Sequence, residues 1–256
     1  MNRIKLLFHS SLGKKFVMAV TGAGLVCFVI GHLIGNLQIF LPPEAINRYA
    51  HFLHSSPELL WPARLGLLLL VGLHVLSAVW LWHENRAARP VTYALDPAVQ
   101  SSSYASRTML MSGLIVAAFV VYHLLHFTVQ VESINGTPVL FGDLRDPATG
   151  HADVYAMIVA GFSVWYVSLF YLAAVGLLCV HLSHGVNAMF QSLGLMNRTY
   201  RVVIDRLAKG MAVLLFIGYA SIPAAVLFFG HGQDYLQEVH QGGSPPVVTI
   251  MSEEGK

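Results

Sequence analysis

Charged residues are scarce in this chain of 256 residues, and it has only two cysteines. Asp, Glu, Lys and Arg make up 11% of the chain, against about 25% in a typical soluble domain, whereas 55% of the residues are hydrophobic. This composition predicts an integral membrane protein. Cys27 and Cys179 stand alone in apolar segments, without a CxxC or CxxCH motif. Covalent haem attachment and a cysteine-bound cluster therefore have no support, and both thiols are expected to be small packed residues.

Five segments with little or no charge are long enough to cross a bilayer, which takes about 20 helical residues. They are residues 16–41, 62–83, 107–131, 155–190 and 210–229. The fourth belongs to a run from 154 to 197 without Asp, Glu, Lys or Arg, which could hold one long tilted helix or two short spans. We predict an all-α fold, a bundle of five transmembrane helices over residues 1–230 with a flexible tail over 231–256. Residues 44–54 are expected to form an amphipathic helix at the membrane surface.

The positions of Lys and Arg predict the orientation of the chain. With five spans and a cytoplasmic N-terminus, eleven of the fifteen basic residues lie in cytoplasmic segments, as the positive-inside rule requires. Dividing the long uncharged run into two spans would move four of these eleven to the other side, so one helix is favoured. The expected location is the inner (cytoplasmic) membrane, with the C-terminus outside.

Histidine is unusually common, with thirteen residues against fifteen Lys and Arg. Each of the first four predicted spans carries one deep in the membrane, where an ionisable side chain is expensive and indicates function. They are His32, His74, His123 and His181. At 1.5 Å per helical residue, the first and third lie roughly 25 Å from their charged inner ends. The second and fourth lie about 15–18 Å from theirs, which sorts the four into an outer pair and an inner pair.

In an up-down bundle, alternate helices face each other across the axis, where bundles build cofactor sites. Each histidine pair could therefore supply both axial ligands of one b-type haem iron. His32 and His123 would bind an outer (distal) haem, and His74 and His181 an inner (proximal) haem. With both axial positions filled, such iron transfers single electrons and has no open position for oxygen or substrate.

Two more histidines follow a proposed ligand by three residues, namely His126 and His184. Each lies about 4.5 Å further along its helix than the ligand. Neither can therefore bind the same iron without displacing that ligand. We predict that both are neighbours of a haem, either around its ligand or at its propionates, rather than ligands themselves.

Four motifs carry a resemblance to a known family: GHLIGNLQIF, NRYAHFLHSSPELLWPARLGLLLLVGLHVLSA, YHLLHF and CVHLSHGVNAMFQSLGL. There the chain resembles the single-subunit, five-helix, di-haem cytochrome b anchor of succinate:quinone oxidoreductases and quinol:fumarate reductases. The resemblance covers most of residues 14–229. The family's ligand assignment implies the same two pairs of histidines as the depth argument. A family glycine four residues after the fourth-helix ligand matches Gly185, which favours His181 over His184.

The resemblance implies two haem b groups and three kinds of partner. A cytoplasmic flavoprotein subunit would interconvert succinate and fumarate, an iron–sulfur subunit would connect it to the membrane, and a quinone such as menaquinone would exchange electrons with this chain. One position departs from the pattern. Some fumarate-reducing members carry a glutamate two residues before the fourth-helix ligand, proposed to move protons across the membrane, and this chain has Cys179 there. The direction of the reaction therefore stays open.

Oxidising a quinol releases two protons with two electrons, so the quinol site needs a proton acceptor near water. Glu58 lies just before the second span, on the predicted outer side, and is the candidate for this general base. The alternative is that Glu58 only stabilises the start of its helix, where the helix dipole favours a negative side chain.

Other classes of membrane protein are weighed against this interpretation. The b-type cytochrome anchor of a hydrogenase or a formate dehydrogenase would share the haems but serve a different electron donor. A histidine-lined transporter or proton channel should have acidic residues or broken helices at mid-membrane. The five predicted spans contain no Asp or Glu. A purely structural anchor would not need depth-matched histidines.

Overall fold

The computed structural model describes residues 10–88 and 108–240, which are mostly helical. The helices are α1 (Ser11–Asn36), α2 (Pro43–His54), α3 (Pro57–Ala87), α4 (Met109–His123), α5 (Glu132–Asn135), α6 (Val154–Phe162), α7 (Trp165–Ser192), α8 (Arg201–Phe229) and α9 (Gln233–His240). A 3-10 turn, Leu37–Phe40, extends α1, and a π-helical turn, Leu124–Thr128, extends α4. Within the described residues there is no β-strand beyond one isolated bridge between Arg145 and Ala152. The predicted all-α class is confirmed.

Five of the helices are long and apolar enough to cross a membrane, as predicted. They are Ser11–Phe40, Pro57–Ala87, Met109–Thr128, Trp165–Ser192 and Arg201–Phe229. Large apolar side chains point outward from them, with Leu68 and Leu214 about 70% exposed and Phe229 84% exposed. Such surfaces are unfavourable in water, whereas hydrocarbon tails cover them. The chain is a multi-pass membrane protein.

The fourth span differs from the predicted single helix over 155–190. The helix breaks after Phe162 and resumes at Trp165, so the membrane-spanning part is α7 alone. The Ser168 hydroxyl donates to the Phe162 carbonyl at 2.6 Å, which pairs one of the backbone groups left at the break. Eight of the nine residues of α6 are buried, so α6 packs inside the protein. Three other spans, α1, α3 and α8, begin at residues 11, 57 and 201 instead of 16, 62 and 210.

The prediction of a flexible tail over 231–256 is wrong at its beginning. Helix α9 forms there and packs against α6, with Leu236 buried. Gly230 and Gly232 have φ angles of 66° and 77° and turn the chain between α8 and α9. Glycine adopts this left-handed conformation without a steric cost, which explains why the turn is rich in glycine. Residues 241–256 lie outside the described residues.

Contacts divide the described residues into two compact units. The first unit comprises residues 10–34, 56–88, 108–119 and 174–218, and the second comprises 35–55, 120–173 and 219–240. In the first unit an ion pair between Lys14 and Glu84 joins the beginning of α1 to the end of α3. The Asn187 amide donates to Asp205 at 3.3 Å, which joins the end of α7 to the beginning of α8. These contacts hold two pairs of helix ends together.

A buried polar cluster organises the second unit around Asn47 of α2. Its side-chain amide donates to Asp146 at 3.2 Å and to Asp153 at 3.0 Å, and its oxygen accepts the backbone N–H of Tyr155 at 2.9 Å. Asp153 caps the N-terminus of α6 and accepts the hydroxyl of Tyr235 from α9 at 2.8 Å. Burial and the adjacent Asp153 carboxylate raise the pKa of Tyr235, which keeps it a neutral donor. The cluster therefore ties α2, α6 and α9 together through paired polar groups.

Candidate cofactor-binding site

His74 lies half-buried on α3, in the first unit. Its Nδ1 is 3.1 Å from the Met18 carbonyl oxygen and 3.3 Å from Thr21 Oγ1, both on α1. A carbonyl oxygen can only accept, so Nδ1 carries the ring proton. The Thr21 hydroxyl donates its own proton to the Val17 carbonyl at 2.7 Å, and its oxygen therefore accepts from His74 as well. The other ring nitrogen, Nε2, keeps the lone pair that a metal needs.

His181 lies half-buried on α7, in the same unit, and has a matching arrangement. Its Nδ1 is 3.2 Å from the hydroxyl oxygen of Ser112, a buried residue of α4. The Ser112 hydroxyl also lies 3.2 Å from the Met109 carbonyl. When it donates its proton to that carbonyl, its oxygen accepts Nδ1–H of His181, and Nε2 of His181 keeps its lone pair.

A glycine follows each of these two hydroxyl residues and leaves room for the imidazole. A Cβ atom at Gly22 would lie 3.3 Å from Cε1 of His74, and one at Gly113 would lie 3.2 Å from Cε1 of His181. Any larger residue would therefore press on the ring. Both histidines belong to the first unit, and each lies beside a hydroxyl residue and a glycine of another helix. Their pairing around one iron stays a prediction.

The predicted outer ligand His123 ends α4 in the second unit, and its Nδ1 lies 3.3 Å from the Tyr171 hydroxyl. The same hydroxyl lies 3.0 Å from Nδ1 of His126. His126 is 0% exposed, whereas His123 is half-buried. The rings around His126 are those of Tyr122, Phe127, Phe141 and Tyr171. Aromatic rings thus enclose the His126 imidazole, and its role as a neighbour of a haem stays a prediction.

The three other predicted site residues, His32, His184 and Glu58, lie on α1, α7 and α3. His32 lies half-buried on α1 and stacks on Phe28, with ring centroids 5.3 Å apart. It belongs to the first unit and His123 to the second, so their pairing stays a prediction. His184 is half-buried on α7. Glu58 is exposed in the first turn of α3, where the helix dipole favours a carboxylate, and its role in quinol chemistry stays a prediction.

The sequence reasoning missed three hydroxyl groups, those of Thr21, Ser112 and Tyr171. The first two share a signal, a hydroxyl residue directly before a glycine in the first and third spans. Tyr171 has no comparable signal, because it is one of several aromatic residues in the long uncharged run. Of the two cysteines, Cys179 is buried as predicted, whereas Cys27 is exposed on an apolar helix. A small apolar side chain can face lipid without an energetic cost, so Cys27 does not need to be packed inside the protein.

Comparison of the chain with protein-family models, with curated proteins and with solved structures finds no match. The residues themselves are therefore the basis for a proposed function. In the part of the chain that the structure describes, no three or more His, Cys, Asp or Glu side chains form a group that could hold a metal ion. A haem iron takes four of its six ligands from the porphyrin and needs only two from the protein. His74 and His181 offer that number.

Proposed function

We propose that this chain is the di-haem cytochrome b membrane anchor of a succinate:quinone oxidoreductase or quinol:fumarate reductase. The axial ligands are His74 and His181 for an inner haem b, and His32 and His123 for an outer haem b. The observation that supports this best is the state of the inner imidazoles. The Met18 carbonyl fixes the ring proton of His74 on Nδ1, which leaves its Nε2 able to bind a metal, and the Ser112 hydroxyl lies where it can accept Nδ1–H of His181 in the same way.

The residues around the inner pair fit a haem. Metal-binding histidines almost always donate their other ring N–H to a protein acceptor, which fixes the ring and raises its basicity. Met18 with Thr21, and Ser112, supply those acceptors.

A bound haem b with two axial histidines supplies one-electron transfer without an open position for substrate. The chain's own contribution is to orient the ligands and to keep their tautomer. Thr21 and Ser112 hold the proton of each inner imidazole at Nδ1. The apolar spans that carry these histidines would exclude water from a bound haem.

The proposed partners follow from this role. An iron–sulfur subunit and a flavoprotein subunit, where succinate and fumarate interconvert, would dock on the cytoplasmic side of the inner membrane. That side carries most of the basic residues of the chain, and the N-terminus lies there, with the C-terminus outside. A membrane quinone, such as menaquinone, would exchange electrons with the outer haem, and Glu58 remains the candidate for its proton acceptor.

Purification of the complex in detergent and visible spectroscopy would test the proposal. We expect two non-covalent haem b groups per chain, both low-spin, and reduction of haem when succinate is added. The matched control is the same complex with His74 and His181 both replaced by alanine, which should keep one haem. A complex that contains no haem would overturn the proposal. Haem that is reduced by hydrogen or formate but not by succinate would assign the chain to a different oxidoreductase.

A further inference from the structure

The end of α4 leaves regular α-helical geometry at the two histidines of the second unit. His123 is the last α-helical residue, and His126 lies in the π-helical turn that follows. The turn closes with the N–H of Val129 bonded to the carbonyl of Leu124 at 2.8 Å, five residues back. Gln130 then adopts a φ angle of 60°, which is uncommon for a residue other than glycine. Single π-helical turns are rare in proteins as a whole. Those that do occur often lie at functional sites.

This turn places both imidazoles on one hydroxyl. Tyr171 Oη lies 3.3 Å from Nδ1 of His123 and 3.0 Å from Nδ1 of His126. A tyrosine hydroxyl has one proton to donate, and a neutral imidazole has one protonated nitrogen. If Tyr171 Oη accepts from one of the two Nδ1 atoms, its own proton is left for the other.

Iron ligation decides the direction of these two bonds. A His123 that binds iron through Nε2 carries its proton on Nδ1 and donates it to Tyr171. The Tyr171 hydroxyl then donates to Nδ1 of His126, which carries its own proton on Nε2. The three side chains thus form a directed chain of hydrogen bonds from His123 through Tyr171 to His126.

The surroundings of His126 indicate that this hydrogen bond is the reason for an imidazole there. The ring is wholly buried, and the centroid of Phe127 lies 4.1 Å from its own. Its Nε2 has no hydrogen-bond partner among the described residues. A buried polar atom without a partner is unfavourable, whereas an apolar residue would fill the same space without that penalty. Low polarity around the ring also strengthens the bond that Nδ1 does make.

We propose that Tyr171, oriented by His126, is the positioning residue for the outer haem ligand His123. The inference rests on the proposed function, because ligation of His123 sets the direction of the bonds. It separates the outer ligand from the inner ones. At His74 and His181 the accepting hydroxyl gives its proton to a backbone carbonyl, whereas at His123 it gives its proton to another side chain. The ligand strength of His123 therefore depends on His126.

The test is a redox titration of both haems, with low-spin EPR spectra, in the complete complex carrying Tyr171→Phe. The variant removes the Tyr171 oxygen that accepts the His123 N–H, which weakens electron donation from the ligand and favours the reduced iron. We expect the outer haem, identified as the one lost in His123→Ala, to shift about tenfold toward reduction, or about 59 mV positive for one electron. The inner haem should not move. His126→Phe should shift the same haem in the same direction by less, since the hydroxyl remains.

Tyr122→Phe is the matched control, because Tyr122 lies in the same aromatic cluster and its hydroxyl donates to a backbone carbonyl, that of Ile134, at 3.5 Å. The inference is overturned if the reduction potential of the outer haem shifts no further in Tyr171→Phe than in Tyr122→Phe. It is also overturned if the potentials of both haems shift equally. If Tyr171→Phe fails to assemble, an unchanged outer potential in His126→Phe overturns it instead. The haem content of the unmodified complex is measured first. If that complex contains no haem, the result counts against the proposed function.

Discussion

The two units of the molecule pair their polar groups in different ways. In the first unit, the imidazoles of His74 and His181 bond to small hydroxyl residues whose own protons go to the helix backbone. In the second unit, side chains bond to other side chains, as Asn47 does with two carboxylates and Tyr171 with two imidazoles. Helix α6 also packs closely against α2 and α9 in the second unit.

This difference indicates which unit depends on a bound group. The second unit is cross-linked by its own polar cluster and aromatic core. In the first unit, Lys14 with Glu84 and Asn187 with Asp205 join helix ends, and the other side-chain contacts described above converge on the imidazoles of His74 and His181. We expect a bound haem to contribute the missing contacts there, in the way that any ligand specific for the folded state adds stability.

The largest expected effect is the loss of a whole haem. His74→Ala and His181→Ala should each remove the inner haem, because the iron loses one of its two protein ligands. His32→Ala and His123→Ala should remove the other. Low-temperature spectra and redox titration distinguish the two haems. His184→Ala is the control and should keep both.

The same variants also test the comparison between the units. Without the inner haem, amide hydrogen exchange should become faster along the helices of the first unit and stay unchanged around Asn47 in the second. If the two members of a proposed pair affect different haems, the pairing is wrong. If His184→Ala loses the inner haem while His181→Ala keeps it, the ligand on α7 is His184.

Asn47→Leu should destabilise the second unit and spare the haems. The change removes one donor to each of two buried carboxylates, Asp146 and Asp153, and losing hydrogen bonds to charged groups costs on the order of 1.5–3 kcal/mol. Thermal unfolding in detergent and protease cleavage near α9 would report the loss. Asn197→Ala is the control, since its side chain accepts one backbone N–H at an exposed site and should cost about 1 kcal/mol. Equal effects of the two variants would show that the cluster is not what holds α9.

The sequence predicts the five spans and the candidate ligands because the bilayer imposes simple rules on both. A span needs about 20 apolar residues, and a histidine inside one indicates function. The break between α6 and α7 is not predictable in this way. The run from 154 to 197 contains no charge, and the Ser168 hydroxyl that pairs a backbone group at the break resembles any other serine in a span. Helix α9 is hidden by the glycine-rich turn before it, which is typical of a loop.

The partners of the histidines are only partly predictable. Thr21 and Ser112 could be recognised from the glycine that follows each of them. Tyr171 could not, because its role depends on the π-helical turn after His123, and no residue pattern specifies such a turn. The cluster around Asn47 likewise joins residues about 100 positions apart, and no local pattern records that contact.

The carboxylate of Glu58 provides the next test of the difference between the two units. Asp146 and Asp153 in the second unit are buried and bonded to donors, whereas Glu58 in the first unit is exposed. Glu58 is therefore the one of the three that can take up a proton from a quinol. Glu58→Gln removes the base and keeps the shape. We expect the rate of quinol oxidation to fall at least tenfold. This is less than the full rate enhancement that a general base usually contributes.

Two controls belong to the Glu58 experiment. Both haems should remain in the spectrum of the variant, and succinate should still reduce a soluble dye through the partner subunits. Quinol oxidation at the rate of the unmodified complex would exclude Glu58 as the essential base. Its role would then be to stabilise the first turn of α3 through the helix dipole.

The smallest expected effects concern the hydroxyls beside the inner ligands. Ser112→Ala removes the acceptor that the structure gives to the His181 N–H, so the inner haem should shift about threefold to tenfold toward reduction, at most about 59 mV. Thr21→Val should shift it less, because the Met18 carbonyl still accepts from His74. Ser183→Ala is the control, since that hydroxyl donates to its own helix backbone at an exposed position. The measurement is a redox titration of the inner haem. A larger shift in Thr21→Val than in Ser112→Ala would show that the Met18 carbonyl does not hold His74, and the tautomer argument for the inner ligands would lose its main support.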